Sequence, residues 1–203
     1  TTITLNFGAD VSSASGTALT NDDGNSTTLV NLGASVTGTV SLGGGNDDLT
    51  FDGGNFSNVT TLDGGADTDT LTFRNVNATA ASANLVNWEN VLVDAGATVA
   101  LDGNVTTTDL TVAGGGNFTQ TSGLVTASGT LTNNATATVS NLSAGAVLND
   151  FGAQLSLQGA VGGAVNNYGN LTATGLTTVT GTTTNLGEIS AGGGGSLRIN
   201  GGL

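Results

Sequence analysis

Four related segments stand in the C-terminal third of the sequence: LTNNATATVS (residues 131–140), LNDFGAQLSL (148–157), VNNYGNLTAT (165–174) and TTNLGEISAG (183–192). Each joins a short apolar–polar run to an Asn or Asp, a small residue and a second strand-like run. The polar residue two positions before the glycine position is Asn134, Asp150, Asn167 and Asn185 in turn. A nearly constant step of about 16–18 residues indicates a structural repeat.

The repeat predicts an all-β parallel β-helix with almost no α-helix. A coil of two or three short strands needs about 16–22 residues, so the chain is long enough for about 10 coils. Leu49-Thr50-Phe51 returns one such step later as Leu71-Thr72-Phe73, and we expect Phe51 and Phe73 to stack in adjacent coils. The whole chain, residues 1–203, is interpreted as one solenoid and as a fragment of a longer surface protein.

The turn residues fit this fold. Gly adopts positive φ without penalty, and Asn and Asp tolerate it best among the other residues. Asn at equivalent places in successive coils can also form stacked amide hydrogen bonds. An antiparallel sandwich or barrel is the alternative, with Asp52-Gly53 and Asp102-Gly103 as hairpin turns. The regular step of the C-terminal segments favours the β-helix.

Composition limits the function. The 203 residues include 34 Gly and no Pro, Cys, Met or His, and two basic residues face 15 acidic ones for a net charge of -13. Without cations to replace phosphate counterions, such a surface does not suit nucleic acid. It does not suit anionic lipid either, and no apolar run is long enough to insert into a membrane.

Residues 41–73, SLGGGNDDLTFDGGNFSNVTTLDGGADTDTLTF, contain two loops rich in Gly and Asp. LGGGNDDLT (42–50) and GGADTDTLT (64–72) each depart by one residue from the calcium-binding nonapeptide G-G-x-G-x-D-x-U-x. If the loops stack as adjacent coils, Asp47 lies over Asp69. The candidate Ca²⁺ ligands in this segment are Asp47, Asp48, Asp52, Asp63, Asp67 and Asp69.

Two interpretations of these loops stay open. The carboxylates can supply the six to eight oxygens that Ca²⁺ requires. However, in the nonapeptide fold the motifs follow one another directly, whereas the segment 51–63 separates these two. In the other interpretation Asp and Gly only form solvated turns. The fold therefore requires no cofactor, and Ca²⁺ is the one candidate.

The sequence does not favour an enzyme. Without His or Cys, Ser–His and Cys–His arrangements cannot form. Arg74 and Arg198 are too many coils apart to cooperate as the basic groups of a lyase. Trp88 is interpreted as a packing residue that closes a candidate loop excursion over residues 74–87.

Paired carboxylates could serve a hydrolase. The clustered candidates are Asp47 with Asp69 and Asp52 with Asp63, but they belong to Gly-rich turns rather than to strand faces flanked by aromatic residues that could stack on a sugar. We therefore expect no catalytic residues in this chain.

The chain resembles the passenger region of bacterial autotransporters and, more loosely, filamentous-haemagglutinin-type adhesins. The resemblance rests on VNLGASVTGTVSLGGGNDDLTFDGG (30–54), LDGGADTDTLTF (62–73), NWENVLVDAGATVALDGN (87–104) and VNNYGNLTATG (165–175). It implies a right-handed β-helix at the bacterial cell surface, outside the cell. The membrane barrel that typically follows such a passenger is missing from this sequence.

From the fold and the resemblance we expect a non-enzymatic stalk or adhesin segment whose partners are host or bacterial surface ligands. A self-assembling extracellular filament or surface-layer subunit is the first alternative, with neighbouring copies bound end-to-end or laterally. A calcium-stabilised binding module is the second alternative.

Overall fold

The fold is built entirely from β-strands and turns in the computed structural model, which describes residues 1–21, 23–81 and 83–202. These residues include no helix long and apolar enough to cross a membrane. The strands are β1 (Thr2–Leu5), β2 (Asp10–Thr20), β3 (Thr27–Asn31), β4 (Ser35–Ser41), β5 (Asp48–Asp52), β6 (Asn55–Asp63), β7 (Thr70–Arg74), β8 (Asn77–Ala81), β9 (Asn84–Val93), β10 (Thr98–Leu101), β11 (Val105–Val112), β12 (Asn117–Gln120), β13 (Val125–Asn133), β14 (Thr136–Asn149), β15 (Gln154–Val161), β16 (Val165–Asn167), β17 (Asn170–Val179), β18 (Thr183–Asn185), β19 (Glu188–Ala191) and β20 (Ser196–Ile199).

Neighbouring strands are parallel and belong to consecutive coils. Thr2 of β1 pairs with Thr27 of β3, whereas Leu131 of β13 pairs with Val147 of β14, so the coils differ in length. The described residues make about nine turns of a right-handed parallel β-helix, which confirms the predicted fold. The first coil, from Thr2 to Thr27, is longer than the sequence analysis predicted for any coil.

Three parallel sheets run along the rod. Sheet 1 contains β1, β3, β5, β7, the C-terminal parts of β9, β11, β13 and β14, and then β16 and β18. Sheet 2 follows sheet 1 along the chain and includes β10, β12 and β19. Sheet 3 completes each coil and ends with β20. We call the turns from sheet 1 to sheet 2 the first corner and those from sheet 3 to sheet 1 the third corner.

Alternation along each strand forms the core. In β5, Leu49 and Phe51 are buried while Asp48 is exposed, as the two-residue period of a strand requires. The rings of Phe51 and Phe73 stack with centroids 6.0 Å apart and an interplanar angle of 14°, which confirms their predicted stacking. Phe56 packs 4.8 Å from Phe73. Aromatic pairs of this kind contribute about 0.5–1.5 kcal/mol beyond the burial of their area.

A buried amide ladder lies beside the first corner in the C-terminal coils. The Nδ2 atom of Asn133 donates to Oδ1 of Asn149 at 2.8 Å, Asn149 to Asn167 at 2.7 Å, and Asn167 to Asn185 at 2.7 Å. Asn133, Asn149 and Asn167 are completely buried. The same Nδ2 atoms also donate to backbone carbonyls of the next coil, for example Asn149 to Asn170 at 3.0 Å.

The sequence predicted this column wrongly at two of its four positions. Asn134 and Asp150 are exposed, and the ladder runs through the residues before them, Asn133 and Asn149. The cause is a difference in turn length. The exposed Asp150 accepts the N–H of Phe151 in a turn that is longer than the turn at Tyr168-Gly169. Aligning the coils on glycine therefore shifts the register by one.

Residues 74–87, the candidate excursion, include Ser82, which is outside the described residues. The remainder contains β8 and the beginning of β9. β8 pairs with β10, since Thr98 lies opposite Asn77. Trp88 is buried at 1 % exposure, and its Nε1 atom donates to the Leu62 carbonyl at 2.9 Å. The indole therefore packs inside the rod and fastens β9 to β6.

The amide ladder generates a stability prediction. Replacing Asn149→Ala removes the acceptor of Asn133, the donor to Asn167 Oδ1 and the donor to the Asn170 carbonyl. Leaving buried polar groups unpaired costs about 1–3 kcal/mol each, so the free energy of unfolding should fall by about 3 kcal/mol or more in urea titrations. The matched control is Asn134→Ala, which should change it by less than about 0.5 kcal/mol. Equal effects of the two substitutions would contradict the register.

Candidate functional site

The two Gly/Asp loops of residues 42–47 and 64–69 stack at the third corner. Gly44 forms a parallel bridge with Ala66, whose N–H donates to the Gly43 carbonyl at 2.8 Å. Gly65 has φ of 108°, and a Cβ there would collide with the Gly43 carbonyl oxygen. The glycines of these loops are therefore required by positive φ and by close backbone stacking.

A column of carboxylates runs through this corner. Oδ1 of Asp47 accepts the N–H of Ser26 at 2.6 Å, and Oδ1 of Asp69 accepts the N–H of Asp47 at 2.8 Å. Oε2 of Glu89 accepts the N–H of Asp69 at 2.7 Å. Each carboxylate thus binds the backbone of the preceding coil. The two loops do stack as adjacent coils, so Asp47 lies over Asp69, and Glu89 is a third member that no sequence motif indicated.

The column leaves polar atoms unpaired. Asp47 and Asp69 are 1 % and 0 % exposed, and the Oδ2 atom of each makes no hydrogen bond in the structure. Burial, together with the neighbouring charges of Asp47, Glu89 and Asp67, raises the pKa of Asp69 to about 6, although the hydrogen bond from the Asp47 N–H lowers it in part. The column therefore favours protonation of Asp69 in weakly acidic solution.

The other four candidate ligands do not belong to this buried pair. Asp67 has φ of 83° and accepts the N–H of Gly45 at 3.2 Å through Oδ2. Asp48 begins β5 and is exposed. The remaining two accept amide hydrogen bonds from the following coil, Asp52 from Asn75 at 2.7 Å and Asp63 from Asn87 at 2.8 Å. Asp52 ends a strand of sheet 1 and Asp63 ends a strand of sheet 3, so they stand at different corners.

Within residues 1–21, 23–81 and 83–202, no group of three or more acidic side chains is placed to hold a metal ion. The donors nearest to such a group are Asp47 and Asp69, whose Oδ2 atoms are unpaired together with Ser26 Oγ and Thr28 Oγ1. Thr28 lies within β3, so the corner itself offers the unpaired oxygen atoms of Asp47, Asp69 and Ser26, of which the last is a neutral hydroxyl.

The two arginines lie on different coils and different sheets. Arg74 ends β7 in sheet 1, and its Nε donates to Asp94 Oδ2 at 3.0 Å. The N–H of Ala95 and the Arg74 guanidinium lower the pKa of Asp94. Arg198 belongs to β20 in sheet 3 and donates to Asn200 at 2.9 Å. This arrangement joins neither arginine to the acidic column.

Comparison with protein-family models, with curated proteins and with solved structures gave no match. The class of the protein is therefore defined by its own architecture, a parallel β-solenoid with a buried acidic column and a buried amide ladder.

The acidic column predicts a pH dependence of stability. Because the pKa of Asp69 is raised from 3.8 to about 6 on folding, protonation stabilises the folded state, and this stabilisation is lost as the pH rises through about 6. The melting temperature should therefore increase as the pH is lowered from 7 to 5. Asp69→Asn, which keeps the acceptor for the Asp47 N–H, should raise the melting temperature at pH 7 and reduce its pH dependence.

Asp48→Asn is the control for this experiment, because it removes the same charge from an exposed neighbouring position. It corrects for the general effect of lowering the negative charge of the rod. If circular dichroism melts show the same change in pH dependence for both variants, the buried carboxylate is not the responsible group.

Proposed function

We propose that the chain is a non-enzymatic stalk segment of an autotransporter-like protein at the surface of a bacterium, where it holds an adhesive part away from the cell. The observation that supports this proposal is that the three sheets and one apolar core are continuous along about nine turns. Each coil is stabilised by its neighbours rather than by a fold of its own. At about 4.8 Å per coil, the rod extends for about 45 Å.

The interior supports a structural role. The space enclosed by Leu171, Val179 and Ile199 measures about 10 Å³, which is at the lower limit for one water molecule. The rod is therefore filled by side chains at this end and offers no ligand-sized chamber there. With two arginines and no lysine, the chain also presents few sites to trypsin-like proteases.

A stalk should tolerate removal of a whole coil. Val165 occupies the register position of Val147 in the next coil, so deletion of residues 147–164 brings Asn167 into the place of Asn149. The shortened chain should unfold cooperatively, and small-angle scattering should give a length smaller by about 5 Å. A peptide tag fused before Thr1 should remain accessible to antibody when the shortened rod is anchored on bacteria by its other end.

Deletion of residues 147–163 is the matched control. It differs by a single residue and leaves Ala164 as an extra residue at the third corner, so the shortened rod should be less stable than the one that lacks residues 147–164. Loss of folding in both deletion variants would refute the modular rod. Retained folding with loss of tag presentation would refute the stalk while leaving the fold intact.

A calcium-stabilised binding module is the second candidate. Four buried oxygen atoms without partners favour it: Ser26 Oγ, Thr28 Oγ1, Asp47 Oδ2 and Asp69 Oδ2. A dehydrated Ca²⁺ prefers such hard oxygen ligands, although it usually takes six to eight of them. Asp47 and Asp69 would provide the charge, and backbone carbonyls of the stacked loops would have to complete the set.

Calorimetric titration tests this candidate. If the module binds calcium, the wild-type chain should release or absorb heat with Ca²⁺ and melt at a higher temperature at millimolar Ca²⁺. Asp69→Asn should abolish both effects, whereas the exposed Asp48→Asn should retain them. No heat and no melting shift in the wild-type chain would exclude the site.

End-to-end assembly into a filament is a further alternative, because the outermost strands of a solenoid have unpaired edges. Continuing the register of sheet 1 beyond β18 would place Leu5 of a second copy against Asn185. The free end of the amide ladder would then meet an apolar side chain. Surface ligands of host or bacterial cells remain the partners implied by the stalk proposal.

A further inference from the structure

An exposed apolar ridge follows the first corner along the rod. Phe7, Leu32, Phe151 and Leu186 are 86 %, 71 %, 89 % and 77 % exposed, and each sits at the tip of this corner in its own coil. They are four of the six large apolar side chains that are exposed in the described residues. Water contact with large apolar side chains is unfavourable, and their alignment on one ridge marks it as a candidate interaction surface.

The tip residues of the ridge follow a definite order of size. Large apolar side chains occupy the first two coils and the last three, where the half-buried Tyr168 stands between Phe151 and Leu186. Small or amide residues occupy the coils between them. From the first coil to the last, the ridge consists of Phe7, Leu32, Gly53, Asn75, Ala95, Gly114, Asn134, Phe151, Tyr168 and Leu186.

Contacts at the N-terminal end show that this ridge is locally packed. The Phe7 ring lies directly over Gly33 of the next coil, because a Cβ on Gly33 would collide with it. Leu32 likewise lies over Gly53, where an added Cβ would be 3.1 Å from the Leu32 Cβ. Both apolar side chains thus lie against a glycine of the next coil while most of their surface stays exposed.

The order of large and small tip residues along the ridge is complementary to the same order read in the opposite direction. When a second rod lies antiparallel, each coil faces the coil of equal rank counted from the other end. Apolar tips then meet apolar tips, an aromatic ring meets a glycine, amide meets amide, and small residues meet at the centre. The facing positions are Phe7 with Leu186, Leu32 with Tyr168, Gly53 with Phe151, Asn75 with Asn134, and Ala95 with Gly114.

We propose that this ridge is the interface of an antiparallel homodimer, so that the partner of the rod is a second copy of this chain. A two-fold axis between the fifth and sixth coils makes every contact occur twice, as an isologous interface requires. Parallel packing would instead place each residue against itself, so that Phe151 meets Phe151 and Gly53 meets Gly53 rather than each other. The proposal is independent of the stalk role.

The antiparallel arrangement brings two like charges together, because Asp52 of one copy lies on the coil that faces Asp150 of the other. Arg74, one of two cations in a chain of net charge -13, lies at the fourth tip with 47 % of its side chain exposed. In an antiparallel dimer it faces the seventh coil, and Asp150 of the second copy is one coil away, about 4.8 Å along the axis. The exposed guanidinium therefore offsets part of the repulsion between Asp52 of one copy and Asp150 of the other.

Cysteine cross-linking tests the orientation, because the chain has no cysteine of its own. In Ala95→Cys the two thiols of a dimer are about one coil apart, which a disulfide can span, so mild oxidation should give a covalent dimer. In Leu186→Cys the thiols are about 40 Å apart in the antiparallel dimer, and no covalent dimer should form. Cross-linking of Leu186→Cys without Ala95→Cys would overturn the antiparallel arrangement.

Sedimentation equilibrium tests the surface itself. The wild-type chain should show a reversible monomer–dimer equilibrium, and Phe151→Ser should weaken the dimer by about tenfold or more. Leu176→Ser is the control, because Leu176 is 64 % exposed but lies outside the ridge. Both substitutions change exposed side chains, so unchanged circular dichroism melts are expected. A wild-type chain that stays monomeric, or equal weakening by both variants, would refute the proposal.

Discussion

The fold depends on backbone hydrogen bonds that join each coil to the next, with the strands of neighbouring coils parallel. They continue through the turns as well as the strands: the N–H of Thr70 donates to the Asp47 carbonyl at 2.8 Å, and the N–H of Asn90 donates to the Asp69 carbonyl at 3.0 Å. Because these bonds set which residues lie above one another, side chains of the same kind form columns. The apolar columns close the core, and the polar columns must find their hydrogen bonds along the same axis.

Two polar columns show how differently this requirement can be met. An amide carries both donors and an acceptor, so Asn133, Asn149, Asn167 and Asn185 can repeat indefinitely, each donating to the next. A carboxylate only accepts. Asp47 and Asp69 therefore bind backbone N–H groups with one oxygen and leave the other without a partner. The amide column can therefore be extended with every amide paired. The carboxylate column leaves buried oxygen atoms unpaired, and protonation reduces the free-energy cost of burying their charge.

Much of the fold could be predicted because its signals are local and repeated. The step between coils, the alternation within strands and the pair Phe51–Phe73 follow from spacing alone. The position of the amide ladder could not, since turns of different length share the same Asn/Asp–aromatic–Gly sequence, as Asp150-Phe151-Gly152 and Asn167-Tyr168-Gly169 show. In one turn the polar residue caps an exposed loop, and in the other it points inward.

The acidic site was predicted in part for a similar reason. The spacing of the two Gly/Asp loops placed Asp47 over Asp69. Glu89 belongs to a strand without a glycine loop before it, so no sequence motif indicated its position. Its position follows only from the pairing of Thr70 with Asn90. Asp52 and Asp63 are likewise separated because one ends a strand of sheet 1 and the other ends a strand of sheet 3. Their distance in the sequence does not show which sheet each belongs to.

The strand β14 illustrates how the perimeter of the rod changes along its length. It runs from Thr136 to Asn149 as a single strand that contributes to all three sheets, whereas the first coil needs the longer stretch from Thr2 to Thr27 for the same circuit. Foreign peptides grafted into this scaffold would therefore be best accommodated in the wide N-terminal circuits, where the backbone already departs from the sheets between strands. The narrow coil at β14 has no such irregular backbone, so it would be the least adaptable part of the rod.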